Sequence, residues 1–79
     1  MEIKIIGKNS SNRTKIMKNI EKALSNNNEN IEITLLEDEK NFKKYNISNT
    51  PALVINEKVI SQGKVLTEKE VRNYIRVLS

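Results

Sequence analysis

The chain opens on an alternation of apolar and polar positions. Glu2 to Ile6 (E-I-K-I-I) places Ile3 and Ile5 on one face of a strand and Ile6 on the other. Gly7 ends it, and Lys8 to Asn12 is a polar loop of residues that favour turns and helix N-caps. From there to Ser25 the period becomes helical: Ile16, Met17, Ile20, Ala23 and Leu24 form one apolar stripe. The run Asn26-Asn27-Asn28-Glu29-Asn30 stops the helix and reads as a loop. Ile31 to Leu36 (I-E-I-T-L-L) alternates again, with Ile31, Ile33 and Leu35 inward and Glu32 and Thr34 outward. That half-polar pattern suits an edge strand.

Glu37 to Tyr45 reads as a short helix with Asp38 as N-cap, Phe42 and Tyr45 three apart, and Asn46 as its C′ residue. Pro51, the only proline, stands directly before the most apolar run, Ala52-Leu53-Val54-Ile55. A proline lacks the N–H that a sheet ladder needs, so it belongs at a strand's first residue or on an edge. The run after it is apolar on both faces, as in a central strand. Asn56-Glu57 turns the chain into Lys58-Val59-Ile60-Ser61; a two-residue hairpin prefers glycine second, so Glu57 is a costly choice there. Gly63 marks a bulge or a left-handed position. Thr67-Glu68-Lys69-Glu70 is a capping box, and Val71, Tyr74, Ile75 and Leu78 form the core stripe of the last helix. The order β-α-β-α-β-β-α predicts an α/β fold: a four-stranded mixed sheet in order 2-1-3-4, with a parallel first pair, a closing hairpin and helices on both faces.

Composition narrows the chemistry. Seventy-nine residues suffice for one small domain, expected here to span 1–79. There is no Cys and no His, so no disulfide, thiol chemistry or usual zinc set is available, and no metal or cofactor is expected. Fourteen Lys and Arg against ten Asp and Glu give a net charge of +4, and the lysines are scattered. Nucleic acid is permitted by that charge but not indicated by it, since there is no basic stripe or aromatic platform. No apolar run approaches the ~20 residues of a membrane span, and Met1-Glu2-Ile3-Lys4 enters the alternation without a signal-peptide core. A cytoplasmic location is the default expectation.

The segment Lys44-Tyr45-Asn46-Ile47-Ser48-Asn49-Thr50-Pro51-Ala52-Leu53-Val54-Ile55-Asn56 resembles the part of thioredoxin-like and glutaredoxin-like proteins that carries their cis-proline. The likeness extends over almost the whole chain, and is strongest to the small redox-active disulfide proteins of that group. These open with a strand and a glycine, carry Cys-x-x-Cys at the first helix, and close with a hairpin, a glycine and a final helix. The resemblance implies a cis Thr50–Pro51 bond beside the first helix, with the preceding backbone placed to pair with a bound peptide or glutathione. Read from the residues alone, a strand-start proline after a trans bond is the alternative.

The departure from that family is as informative. Counting from Gly7, its two cysteines fall on Ser10 and Arg13, giving Ser10-Ser11-Asn12-Arg13. A helix N-terminus lowers a thiol's pKa, but serine has no comparable acidity and arginine cannot resolve a disulfide. Disulfide exchange needs a thiolate attacking sulfur, so no catalytic residue of that kind remains. Two binding readings follow. In the first, a redox-inactive module holds a protein partner or extended peptide in a groove between Ser10, Ser11 and Arg13 on one side and Asn49, Thr50 and Pro51 on the other. In the second, Ser10 and Arg13 hold an anion or glutathione, as serines do in glutathione transferases, although the helical second domain of those enzymes is missing. The plainer alternative is that Ser10 or Ser11 caps the helix while Arg13 and Lys15 are solvated.

Overall fold

The computed structural model describes residues 1–25 and 31–78. Its elements are β1 (Glu2–Ile6), α1 (Ser11–Leu24), β2 (Glu32–Leu36), α2 (Glu39–Lys44), β3 (Ala52–Ile55), β4 (Lys58–Gln62) and α3 (Glu68–Leu78). The sheet runs β2-β1-β3-β4, with β1 parallel to β2 and antiparallel to β3, and β3 antiparallel to β4. The anticipated order and mixed pairing are both present. The Asn26–Asn30 loop read from the sequence lies outside the described residues.

The strand alternation divides the core in two. Ile3, Ile5, Leu53 and Ile55 meet Ile16 and Ile20 of α1, Val71 and Ile75 of α3, and Leu66. On the other face Ile6, Ala52 and Val54 meet Phe42, Tyr45 and Ile47, around α2. All four residues of β3 are buried, which is what an apolar run on both faces requires. Burying each of the Leu, Ile and Val side chains contributes about 1.5–3 kcal/mol, the main driving force for a chain without staples.

Local signals set the ends of the helices. At α3, the Glu70 N–H donates to Thr67 Oγ1 at 3.1 Å and the Thr67 N–H to Glu70 Oε1 at 3.2 Å, the reciprocal bonds of a capping box. Asn46 terminates α2 with φ +56. Its N–H reaches the Lys43 carbonyl at 3.2 Å and that of Ile47 reaches Phe42 at 2.7 Å, the paired bonds of a Schellman motif. Asp38 stands at the N-cap of α2 with extended backbone, but its side chain makes no capping bond.

Three local expectations are corrected. The first helix begins at Ser11, inside the stretch read as loop, because Ser10 satisfies the Arg13 N–H and draws Ser11 and Asn12 into the first turn. Tyr74 is not in the core stripe: it is 38% exposed, since Val71, Ile75 and Leu78 face the sheet and Tyr74 falls at their margin. Leu35 is on the expected face yet 44% exposed, because β2 is the sheet's edge and α1 covers it only in part.

The β3–β4 hairpin turns through Asn56 (φ +49) and Glu57 (φ +68), both in the left-handed region. The cost of Glu57 there is offset by its side chain. Lys4 Nζ donates to Glu57 Oε1 at 2.8 Å and the Tyr45 hydroxyl to Oε2 at 2.5 Å, while Lys4 also donates to the Tyr45 oxygen at 2.8 Å. The bonds from Lys4 and then Tyr45 lower the Glu57 carboxyl from its ordinary value to about 2. The same Glu57 bond, followed by that to Tyr45, raises the Lys4 ammonium. This polar cluster occupies the part of the sheet face that α2 leaves uncovered.

Candidate functional site

The chain positions read as a groove lie where the C-terminal end of β1, the start of α1 and the approach to β3 meet. Gly7 is the hinge of that meeting. It is buried with φ +153, and a Cβ built on it would lie 3.2 Å from the Thr50 Cβ and 3.5 Å from the Pro51 Cα. A side chain here would crowd the Thr50 Cβ and would sit on a backbone conformation that L-residues rarely adopt, so glycine suits the close approach. The Thr50–Pro51 peptide bond is cis, Pro51 is buried and Thr50 is exposed.

The other wall of the loop is made by β4. Gln62 Oε1 accepts from the Ser48 N–H at 2.9 Å, and more weakly from the Asn49 N–H and the Ser48 hydroxyl, each at 3.4 Å. The Gly63 N–H donates to the Pro51 carbonyl at 3.0 Å. Gly63 itself has φ +66 and packs so tightly that a Cβ would stand 2.9 Å from the Asn49 Cβ. These contacts hold residues 48, 49 and 51, and leave the residue between them bare. The N–H and C=O of Thr50 make no hydrogen bond among the described residues.

On the helix side, Ser10 has extended backbone (φ −159, ψ 165), and its Oγ accepts the Arg13 N–H at 3.1 Å. Its carbonyl accepts both the N–H and the hydroxyl of Thr14, each at 3.1 Å. Ser10 is thus the cap of α1, as one of the sequence readings proposed. Ser11 is exposed, and its hydroxyl has no partner among the described residues.

Arg13 is not a solvated charge. Its side chain is 14% exposed, and Nη1 donates to the Gly7 carbonyl at 3.3 Å and to the Glu37 carboxylate. The physical reason is electrostatic. The first turn of α1 contains no acidic residue, and a cation there opposes the helix dipole. A carboxylate from the β2–α2 connection neutralises that cation, and the same guanidinium ties the end of β1 to the start of α1. Lys8 and Lys15 remain exposed with no ion pair among the described residues.

The geometry brings Gly7, Thr50 and Pro51 into contact, with Ser10 and Arg13 anchored to the same strand end. Sequence reasoning missed Glu37 and Gln62. Neither carries a local signal, because each acts on residues at least a dozen positions away. The chemistry available is hydrogen bonding by main chain, hydroxyl and amide groups. No thiol exists on the chain, and among the described residues no cluster of carboxylates is large enough to hold a metal ion. No helix among the described residues is long and apolar enough to cross a membrane.

Compared with known proteins, residues 1–76 match the model of a family described as "Thioredoxin domain". Neither the curated proteins nor the solved structures yielded a match.

Proposed function

The chain belongs to this thioredoxin-domain family, and from that premise we propose that it is a redox-inactive binding module that holds an extended segment of a partner protein across Ser10 and Thr50–Pro51. The observation that carries this reading is the unpaired main chain of Thr50. Thr50 is exposed and neither its N–H nor its C=O makes a hydrogen bond among the described residues, whereas the Ser48 and Asn49 N–H groups before it and the Pro51 carbonyl after it are held. A peptide running past Thr50 would satisfy both groups in the manner of strand addition. Ser11 and Asn49 flank the track and supply polar contacts. The site takes no part in thiol exchange, because the chain has no cysteine; Ser10 and Arg13 stand where the resemblance implies the family's two cysteines. The cellular setting proposed for the module is the cytoplasm.

The glutathione or anion reading is the weaker one. It asks Arg13 to abandon Glu37 and the Gly7 carbonyl, and Ser10 Oγ to abandon the cap of α1.

The test is selection of random heptapeptides on the immobilised chain, followed by amide NMR titration of the selected peptides and, separately, of glutathione. The expected result is a set of peptides that shift Gly7, Asn49 and Thr50. Binding should weaken at least tenfold when the peptide amide facing Thr50 is N-methylated, which removes one donor and leaves the side chains in place. Peptides that shift only other surfaces, or that tolerate methylation at every position, would overturn the reading. Glutathione binding lost on Arg13→Ala would favour the anion site instead.

A further inference from the structure

The sheet has two edges, and only one is guarded. β4 begins on Lys58 and carries an extra residue, Ile60, between the Leu53–Ser61 and Val54–Val59 pairs. A bulge and an edge lysine both discourage a further strand. β2 has neither. It pairs with β1 without a register shift from Glu2–Glu32 to Ile6–Leu36, and contains no Lys, Pro or Gly. Its other side faces no strand among the described residues.

The ladder fixes which main-chain groups are free. The Glu32 N–H donates to the Met1 carbonyl at 3.3 Å, and the Leu36 carbonyl accepts from the Gly7 N–H at 2.9 Å. Main-chain directions alternate along a strand, so residues 32, 34 and 36 are committed to β1. The N–H and C=O groups of Ile33 and Leu35 therefore point away from the sheet. On the face covered by α1, the half-exposed Leu35 lies in a groove with Arg13, Thr14, Met17, Lys18 and Glu21.

We propose that β2 is a homodimer interface, two copies pairing β2 with β2 antiparallel about a twofold axis through Thr34. In this register Ile33 stands opposite the second copy's Leu35, and Leu35 opposite its Ile33, each pair exchanging both main-chain bonds. Thr34 faces its own counterpart, and Glu32 faces Leu36. Apolar side chains thus meet apolar ones, and no like charges stand opposite each other, the condition a self-pairing strand must meet. The same axis brings the two α1 helices side by side and antiparallel over the seam, covering Leu35. Lys18 and Glu21, on the flank of α1 beside Leu35, form no ion pair within the described chain. A twofold-related flank offers each of them the opposite charge. This self-complementarity is what selects a second copy as the occupant over an unrelated strand. The +4 charge of each copy is screened beyond about 8 Å at physiological ionic strength, so it does not prevent contact.

Sedimentation equilibrium of the wild-type chain and of Leu35→Lys, from about 10 μM to about 1 mM, reads the association directly. The wild-type mass is expected to rise from 9.1 kDa toward twice that value, while Leu35→Lys associates at least tenfold more weakly. Hydrogen exchange on the wild type gives a readout independent of any variant's folding. The Ile33 and Leu35 amides should exchange more slowly as concentration rises, whereas the Thr34 amide, bonded within the chain, should be slow throughout. A wild type that stays monomeric over the range overturns the proposal. So does a dimer in which Ile33 and Leu35 exchange as in dilute protein, or one that a folded Leu35→Lys forms equally well.

Discussion

Substituting Gly63→Ala should destabilise the chain through two separable effects, and the structure says how to separate them. The first is conformational. Gly63 has φ +66, and an L-residue held there costs about 1–2 kcal/mol. The second is steric, because the new Cβ would stand 2.9 Å from the Asn49 Cβ, closer than real contacts allow. Asn49 cannot retreat freely, since Gln62 holds the amides of residues 48 and 49, and the Gly63 N–H holds the Pro51 carbonyl. Overpacking of this kind adds about 1–3 kcal/mol. Asn49→Gly removes the obstructing atom and keeps the backbone bonds, at a cost of about 0.5–1 kcal/mol from added unfolded-state freedom. Urea unfolding of the wild type, both single variants and the double variant completes a cycle. The expected result is a loss of about 2–5 kcal/mol for Gly63→Ala alone, falling to about 1–2 kcal/mol in the Asn49→Gly background. A coupling smaller than about 0.5 kcal/mol would refute the claim that these two residues wedge the loop in place.

Ser10→Ala should cost about 0.5–2 kcal/mol in melting experiments through loss of the α1 cap, whereas Ser10→Asp should retain stability, because a carboxylate caps equally well and suits the helix N-terminus. Arg13→Ala should cost about 1–3 kcal/mol, since the guanidinium is largely buried and bonds the Gly7 carbonyl as well as the half-exposed Glu37; a loss below about 0.5 kcal/mol by the same measurement would contradict the tie between β1 and α1. The Glu57 carboxyl, held at about 2 in the folded chain against an ordinary 4.5, contributes stability that is present above pH 4.5 and lost as pH falls toward 2. Acid titration of Glu57→Gln should lack that portion of the transition, and an unchanged acid profile would contradict the hydrogen bonds assigned to Lys4 and Tyr45. In a turbidity assay of insulin reduction by dithiothreitol, the chain should add nothing to the rate without protein, because no thiolate is present to attack a disulfide.

Elements carried by local patterns were legible before any coordinates. The capping box at Thr67, the C′ role of Asn46 and the doubly apolar run after Pro51 each depend on residues within a few positions of one another. The sheet order followed from counting these elements and from the connections they permit. Burial at the margins was less legible. Leu35 and Tyr74 satisfy their periodic patterns, yet an edge strand and a helix stripe run out of covering partners before their last apolar residue. At the candidate site the cap at Ser10 could be read from residue type, but the bond from Arg13 to Glu37 could not. It joins residues 24 apart, and its cause, a first helical turn without a carboxylate, becomes specific only when a neighbouring connection supplies one. Gln62 is the same kind of case: its role depends on a hairpin register that a bulge shifts by one residue.

The economics of the loop bear on which ligand the proposed groove suits. Gly7 and Gly63 both adopt positive φ and both touch residues 49–51, so the close approach is specified from two sides by residues that lose the most chain entropy on folding. A connection that merely led from α2 into β3 would need neither contact. What the arrangement accomplishes is to leave the N–H and C=O of one exposed residue, Thr50, without partners among the described residues while the Ser48 and Asn49 N–H groups and the Pro51 carbonyl are tied down. The charges nearby are arranged to the opposite end: the guanidinium best placed to attract an anion is turned onto Glu37 and the Gly7 carbonyl. A fixed main-chain donor and acceptor with the adjacent cation already neutralised favours a neutral strand of peptide over a phosphate or a free carboxylate. Binding of that kind should depend weakly on salt, because screening acts on charge–charge contacts and leaves main-chain hydrogen bonds nearly untouched. A peptide whose affinity falls steeply between low and high ionic strength would therefore point to Lys8 or Lys15, and away from Thr50, as its principal contact.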